Sequence, residues 1–327
     1  MLQKATANMR EEMFFAVSPL MIFPKTLGRF RVYIRQAGNF VLYASENEQF
    51  TQRHRQKLHD AGVAEVYIRG EERPDFNLYV EKHLPDILGD GAIPVQERSK
   101  VLYNAADAVV REVFETRLPK GIGKKQYVRI AAIVEKSLKF LAMDESLKCI
   151  AALASHDYSV HTHNVHAFVY TTAILQSMKA DEYTQVQAGI GALLHDIGKT
   201  RIPGEILSKP GPLTPEERLV INTHPAMGMA LCQEAQLSQT ACHCILMHHE
   251  RMDGSGYPGG LSGELIPPYV RALTVADVYD ALTTKRAYAD AMPPFQALRL
   301  MRDEMFEAFD PDVYKRLVMI LSGANMV

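Results

Sequence analysis

The stretch His195-Asp196-Ile197-Gly198-Lys199 decides the fold of this chain, and it directly follows the apolar run Ala188-Gly189-Ile190-Gly191-Ala192-Leu193-Leu194. The apolar run indicates the buried half of a helix. An imidazole and a carboxylate at the end of such a helix need polar partners, and a divalent cation suits both groups. An ordinary hydrogen bond between His and Asp would also satisfy them, so the rest of the chain has to decide between the two interpretations.

The composition excludes several classes of protein. The chain has 327 residues, 47% of them hydrophobic, which is enough for one large core or two domains. Its 36 basic and 38 acidic residues give a net charge of −2, which argues against a protein that coats a nucleic acid polymer but allows a small phosphorylated ligand. No apolar run reaches the roughly 18 residues of a membrane span, and residues 1–12 lack a signal-peptide core. We therefore expect a cytoplasmic protein without membrane insertion.

The four cysteines indicate reduced thiols. They form no CxxC pair, and they lie in apolar, helix-like surroundings at Cys149, Cys232, Cys242 and Cys244. Cysteines in such surroundings are usually buried thiols of an intracellular protein.

Residues 1–90 predict a small α/β domain. Four strand-like runs and one polar helix make up this part, at residues 14–17, 30–34, 40–43 and 63–68 for the runs and 50–61 for the helix. A hairpin-type turn at 36–39 joins the second and third runs. We find no glycine loop that would cradle a phosphate and no acidic pocket. We expect a sensing or regulatory domain, for which the sequence names neither ligand nor partner.

The pattern becomes helical from Tyr79 onward. Apolar residues recur at three- and four-residue steps from Val95 to Leu118 and again from Tyr127 to Leu141, with a break at Pro119. This predicts a helical linker at 91–125, which would either pack against the next helix or form the stalk of a homodimer. An all-helical domain at 126–327 follows, so the fold class is α+β.

Five stations between residues 156 and 280 offer metal-ligating side chains, each on a helix or at a helix end. They are the segment 156–166, His195-Asp196, His224, His248-His249-Glu250 and Asp277. One such residue would mean little. Five on facing helices would point imidazoles and carboxylates into a bundle core, which is how metal sites in helical bundles are built.

The types of ligand limit which metal ions the site could hold. Roughly five imidazoles with two or more carboxylates exceed one tetrahedral zinc and favour two six-coordinate ions, Fe or Mn first. Two such ions can share a hydroxide and stabilise both the attacking and the leaving oxygen of a phosphoryl displacement. Lys199, one turn past His195, could neutralise a phosphate oxygen, although a solvated lysine at a helix end is the alternative.

These motifs resemble the HD-GYP subgroup of the HD-domain phosphohydrolases over about residues 145–325. The matching residues are, in chain order, 195–199, Ile202-Pro203, 206–214, His224, 248–258 with an intact Gly256-Tyr257-Pro258, Asp277 and 280–288. It implies an all-helical bundle around two, occasionally three, divalent metals. It also implies a phosphodiesterase that hydrolyses the bacterial second messenger cyclic di-GMP to pGpG, and often on to GMP, by attack of a metal-bridging hydroxide.

The resemblance also implies roles for single residues. Asp196 would bridge the metals and, with Lys199, be catalytic, while Lys199 and Arg286 would hold substrate phosphates. Gly256 and Tyr257 would contact the substrate from a glycine-rich loop. The implied metal ligands are His163, His195, Asp196, His224, His248, His249 and Asp277.

Three positions leave alternatives open. The first ligand could be His161 or His163, and we prefer His163 because that frame also matches Tyr170 without a gap. Ser159 stands where three-metal members carry Glu, which favours two metals. Ala289 stands where a basic residue is common, so the substrate could also be cGAMP or another nucleotide. A cyclic-dinucleotide-binding signalling or scaffold module is the alternative of a different class, but the complete set of ligands argues against it.

Overall fold

The computed structural model of the chain describes residues 13–22, 28–115, 121–153, 160–284 and 291–323. Contacts divide the chain into two compact units, with the division after Ala105. The predicted linker at 91–125 remains a prediction, and the predicted end of its helix at Leu118 and break at Pro119 lie outside the described residues. No helix in the described part of the chain has the length and apolar character that a membrane span needs.

The N-terminal unit contains a four-stranded antiparallel sheet with strand order β1-β4-β2-β3. Its strands are β1 (Phe14–Val17), β2 (Val32–Gln36), β3 (Asn39–Ala44) and β4 (Val66–Arg69), and its first two helices are α1 (Gln52–Asp60) and α2 (Arg73–Gly89). The predicted hairpin turn joins β2 to β3 through Ala37 and Gly38, both with positive φ. Such a turn matches the twist of the two strands that it connects.

Aromatic side chains build the core of this unit. The ring of Phe30 packs edge-on against Phe76 and Tyr79 of α2, with centroids 5.2 and 5.1 Å apart. Helix α2 begins at Arg73, earlier than the Tyr79 that the sequence predicted. Pro74 occupies its first turn, where a missing N–H costs nothing, and the charged residues around it concealed this helix start.

The second unit is a helical bundle. Helix α3 (Val95–Glu115) leads into it, and no strand occurs after α3 among the described residues. The helices that follow are α4 (Lys124–Leu141), α5 (Asp144–Leu153), α6 (Val160–Ser177), α7 (Glu182–Leu194), α8 (Gly204–Leu207), α9 (Pro215–Ile221), α10 (His224–Leu231), α11 (Gln239–Met247), α12 (Pro268–Thr283), α13 (Pro294–Glu304) and α14 (Pro311–Gly323). The α+β class, a small sheet domain followed by an all-helical bundle, is confirmed.

Two helices have a long stretch in which every residue is buried, and candidate ligands follow the end of one of them and lie within the other. Helix α7 buries every residue from Val186 to Leu194, and α12 buries every residue from Val270 to Asp277. A helix that is apolar all round belongs in the centre of a core, so polar residues on it or at its end face protein rather than water. The apolar run before His195 is therefore buried, as the sequence predicted.

Candidate metal centre

The candidate ligands meet in the middle of the bundle, although they come from five different helices or helix ends. All of their side chains are buried except that of His249, which is one quarter exposed. Their positions are His163 on α6, His195 and Asp196 after α7, His224 at the start of α10, His248 and His249 after α11, and Asp277 on α12.

Two groups of ligand-type atoms overlap at Asp196. Within each group the atoms lie within 4.8 Å of one another: Asp196 with His224, His248 and His249, and Asp196 with His163 and His195. Asp277 borders both groups, because its Oδ1 lies 2.9 Å from Nε2 of His163 and its Oδ2 lies 3.7 Å from Nδ1 of His249. The two groups of ligand-type atoms therefore have the carboxylate of Asp196 in common.

A backbone hydrogen bond sets the tautomer of three histidines. Nδ1–H of His195, His224 and His248 donates to the carbonyl oxygen three residues earlier, at 2.7, 2.8 and 2.9 Å. Nε2 of each ring then carries a lone pair. A bond of this kind orients the imidazole of a metal ligand and fixes the nitrogen that binds.

The residues of the cluster fit a divalent cation. Nε2 of His224 and Nε2 of His248 lie only 3.1 Å apart, with their lone pairs towards each other. Nε2 of His195 and Oδ1 of Asp196 are buried and have no hydrogen-bond partner among the described residues. Buried acceptors that face one another need a cation, so this cluster could hold metal.

Burial keeps three of the imidazoles neutral. It lowers the pKa of His195, His248 and His249, and for His248 the neighbouring His249 lowers the pKa further. A neutral imidazole is the form that ligates a metal.

The two carboxylates of the cluster stay ionised. Burial opposes this, but the ammonium of Lys199, 2.5 Å from Oδ2 of Asp196, and then His195 hold the pKa of Asp196 well below its usual range. Burial likewise opposes ionisation of Asp277, and its hydrogen bond with His163 holds the pKa of Asp277 well below its usual range. The centre thus offers anionic oxygens beside neutral nitrogens.

Asp280 supports His163 from the side away from the cluster. Its Oδ2 accepts a hydrogen bond from Nδ1–H of His163 at 2.6 Å, and its Oδ1 accepts one from Nδ1–H of His166 at 2.8 Å. Burial lowers the pKa of His163, but the hydrogen bonds with Asp277 and Asp280 outweigh it and raise that pKa well above its usual value. Sequence reasoning gave Asp280 and His166 no role, although each lies one helical turn after a predicted ligand.

The two alternatives for the first ligand lie in different places. His163 is part of the cluster, whereas the ring of His161 packs edge-on against Phe114, with centroids 5.6 Å apart. The predicted phosphate ligand Arg286 lies outside the described residues, as do Ser159 and Ala289.

Gly198 brings two ligand-bearing segments together. It lies in the 3₁₀ turn Ile197–Arg201, which also carries Lys199. A Cβ at Gly198 would lie 1.9 Å from the carbonyl oxygen of His224, so only glycine allows this approach. The close packing sets the backbone of Asp196 against the start of α10.

A loop of residues 251–266, here called the tyrosine loop, borders the cluster. The ring of Tyr257 lies 4.7 Å from that of His249 and 6.4 Å from that of His224. Gly256 packs on the preceding turn, because a Cβ there would lie 2.5 Å from Cα of Glu250. Burial raises the pKa of Tyr257, so its phenol stays protonated at neutral pH. Tyr257 is therefore a hydrogen-bond donor beside the cluster.

Two relatives of the chain are phosphodiesterases by name. The chain is 30% identical over 276 residues to cyclic di-GMP phosphodiesterase PA4108 of Pseudomonas aeruginosa, a match to 80% of this chain and 66% of that protein. It is 34% identical over 155 residues to 3'3'-cGAMP-specific phosphodiesterase 3 of Vibrio cholerae, a match to 47% of this chain and 34% of that protein. The chain therefore spans only part of the length of either relative.

A solved structure and a family profile identify the fold and the family of the chain. Bd1817, a HDG"Y"P protein from Bdellovibrio bacteriovorus, is similar with a TM-score of 0.66 and 21% identity, over 94% of this chain and 99% of that one. This likeness concerns the fold. The profile of the HD domain family matches residues 124–313, more than half of the chain, which confirms the resemblance that the sequence motifs predicted. The chain belongs to the HD-domain family.

Proposed function

We propose that the chain is a metal-dependent phosphodiesterase that hydrolyses cyclic di-GMP to pGpG or on to GMP. The observation that carries the proposal is the pair of ligand groups that share Asp196. Two adjacent cations on one carboxylate suit a phosphoryl displacement, because together they can act on the attacking and the leaving oxygen. The similarity to a relative named as a cyclic di-GMP phosphodiesterase supports this choice of substrate.

The donor set favours two ions of Fe or Mn. The ligand atoms of the described cluster are imidazole nitrogens and carboxylate oxygens, without a thiolate, and this mixture suits Fe and Mn. Asp196 would lie between the ions and Asp277 beside them, with the imidazoles of His163, His195, His224, His248 and His249 around them. When bound, such ions lower the pKa of a shared water and draw charge from phosphate oxygens.

Two side chains are suited to bind the phosphate itself. The side chain of Lys199 is 20% exposed while its ammonium contacts Asp196, so it lies between the cluster and solvent. There it can neutralise a phosphate oxygen. The protonated phenol of Tyr257 can donate a hydrogen bond to a phosphate oxygen or to the leaving 3′-oxygen. We assign the second phosphate of the substrate to Arg286.

A second candidate substrate is 3′3′-cGAMP. The observation that favours it is the 34% identity to a relative named as cGAMP-specific. The two cyclic dinucleotides share both phosphates and differ in one base. Because the residues assigned above act on phosphate, they do not separate the two substrates.

Anaerobic turnover with Mn²⁺ or Fe²⁺ supplied tests the proposal, with wild type beside Asp196→Ala. We expect wild type to release pGpG or GMP from cyclic di-GMP, and the variant to lose at least about 10³-fold in rate. Fully metal-loaded wild type that leaves cyclic di-GMP intact but hydrolyses 3′3′-cGAMP would support the second substrate. Wild type that hydrolyses neither would contradict the enzymatic proposal and support a binding or scaffold module.

A further inference from the structure

Glu250 follows two candidate ligands in the chain, but its carboxylate is occupied elsewhere. The side chain is 1% exposed. Its Oε1 accepts a hydrogen bond from the backbone N–H of Gly259 at 2.6 Å, and its Oε2 accepts one from the backbone N–H of Leu261 at 2.9 Å. Neither ligand group at Asp196 includes Glu250.

The two hydrogen bonds join the turn before the tyrosine loop to the arm of the loop that follows Tyr257. Glu250 lies in the turn that carries His249, whereas Gly259 and Leu261 lie beyond Tyr257. A buried carboxylate needs its hydrogen bonds, and bonds to a charged group are stronger than neutral ones. Gly259 also lies so close that a Cβ there would be 3.0 Å from Oε1. The carboxylate therefore fixes the far arm against the ligand-bearing turn.

Tyr257 lies between the points that are held. Its backbone N–H donates to the carbonyl oxygen of His249 at 3.2 Å, and its ring lies 4.7 Å from that of His249. A shift of the far arm would carry Tyr257 away from this position.

Arg271 holds the other end of the same loop. Its guanidinium is 9% exposed and donates to the carbonyl oxygens of Ile266 at 2.7 Å and Gly263 at 3.3 Å. It also pairs with Asp310 at 2.9 Å. Since Arg271 lies on α12, which carries Asp277, both ends of the loop are attached to segments that bear candidate metal ligands.

We infer that Glu250 is a positioning residue, whose carboxylate holds the tyrosine loop so that Tyr257 faces the metal centre and its substrate. The consequence for substrate binding rests on the proposed function. The hydrogen bonds of Glu250 do not depend on the proposed function, so a separate experiment tests them. Loosening the loop raises KM for the cyclic dinucleotide more than it lowers kcat, and it leaves metal occupancy unchanged.

The first test measures hydrogen exchange at the amides of Gly259 and Leu261 in the wild-type chain. Both amides lie in a loop, yet we expect them to exchange slowly because they donate to a buried carboxylate. Glu250→Gln keeps the size of the side chain but offers one acceptor oxygen in place of two, so at least one amide exchanges faster. Fast exchange of both amides in wild type overturns the inference, whether or not any variant folds.

The second test measures metal content, kcat and KM of the same variant. We expect two ions per chain as in wild type, a rise in KM of about tenfold or more and a change in kcat within about threefold. Arg271→Lys, which weakens the other end of the loop, gives the same pattern. The control Glu234→Gln, an equal charge change at an exposed site outside the loop, leaves all three quantities unchanged.

The outcomes separate this inference from the proposed function. Loss of metal from Glu250→Gln would make Glu250 a ligand, and loss of kcat at constant KM would make it a proton donor; either result overturns the positioning role. Absence of turnover in metal-loaded wild type contradicts the proposed function but leaves the exchange result as a test of the loop.

Discussion

Removing the carboxylate of Asp280 tests how the centre orients its first histidine. The carboxylate accepts Nδ1–H bonds from His163 and His166 at 2.6 and 2.8 Å in a fully buried site. Asp280→Asn keeps the shape but can accept from only one ring, and Asp280→Ala accepts from neither. A hydrogen bond to a charged group contributes about 1.5–3 kcal/mol, and loss of such support for a ligand costs about 10–100-fold in metal affinity. We expect about tenfold weaker metal binding for Asn and about 100-fold for Ala.

The assay is competition for Mn²⁺ against a chelating dye, at a temperature where circular dichroism reports folded protein for every variant. Asp181→Asn is the matched control, because Asp181 caps α7 through Thr184 at 2.9 Å and asparagine caps a helix equally well. The control keeps wild-type affinity. Affinities of both Asp280 variants within about twofold of wild type would refute the idea that Asp280 supports a ligand.

The packing of Gly198, the burial of Cys232 and the coupling of metal binding to folding give three further predictions. Gly198→Ala destabilises the fold and lowers the metal content, because the new Cβ would overlap the backbone of His224. The control Gly204→Ala changes neither quantity, because a Cβ at Gly204 has open space around it. Thermal melts and metal analysis of the two variants test this prediction. Burial raises the pKa of Cys232 to about 12, so only about 10⁻⁴ of its thiol is ionised at pH 8. Iodoacetamide should therefore leave Cys232 unmodified until denaturant is added, whereas half-buried Cys149 should react in the native protein. Peptide mass spectrometry detects both outcomes. Chelation lowers the free energy of unfolding by about 2.7 kcal/mol for each ion removed, relative to protein with metal at 100 times its Kd. A chelator that leaves the urea midpoint unchanged would disprove the link between metal binding and fold stability.

Part of the candidate cluster could be predicted because some of its residues interrupt an apolar pattern, and the resemblance to a known family supplied the rest. His195 and Asp196 follow the buried stretch Val186–Leu194 that ends α7, and Asp277 lies in a mainly apolar, buried stretch of α12. A polar group at such a position needs a polar or charged partner, and the order of the motifs along the chain indicated that this partner is a metal.

The supporting contacts could not be predicted, because they depend on distances between segments far apart in sequence. Asp280 lies 117 positions from His163, and nothing in either segment specifies that their side chains meet. The sequence placed Glu250 among the ligand-type residues because it follows His248 and His249. The structure shows instead that its carboxylate accepts hydrogen bonds from the tyrosine loop. Gly198 was read as part of a motif, and its closeness to His224 appears only once α10 is placed.

The fold was easier to predict than the limits of its elements. Short runs of apolar, β-branched and aromatic residues located the four strands of the sheet. Gly62, with φ of +64°, follows α1 close to where the sequence predicted that the helix ends. The start of α2 was missed because Arg73 and its neighbours are charged, and tertiary packing of Phe76 against Phe30 favours the helix there more than local propensity does.

The most direct test of the shared-carboxylate centre is the number and magnetic coupling of bound Mn²⁺ ions. Wild type loaded anaerobically should bind two Mn²⁺ per chain, with an electron paramagnetic resonance spectrum of an exchange-coupled pair, because both groups of ligands include Asp196. Asp196→Ala should lose that coupling. One Mn²⁺ per chain in wild type, or two with the spectra of isolated ions, would contradict a two-metal centre built on Asp196.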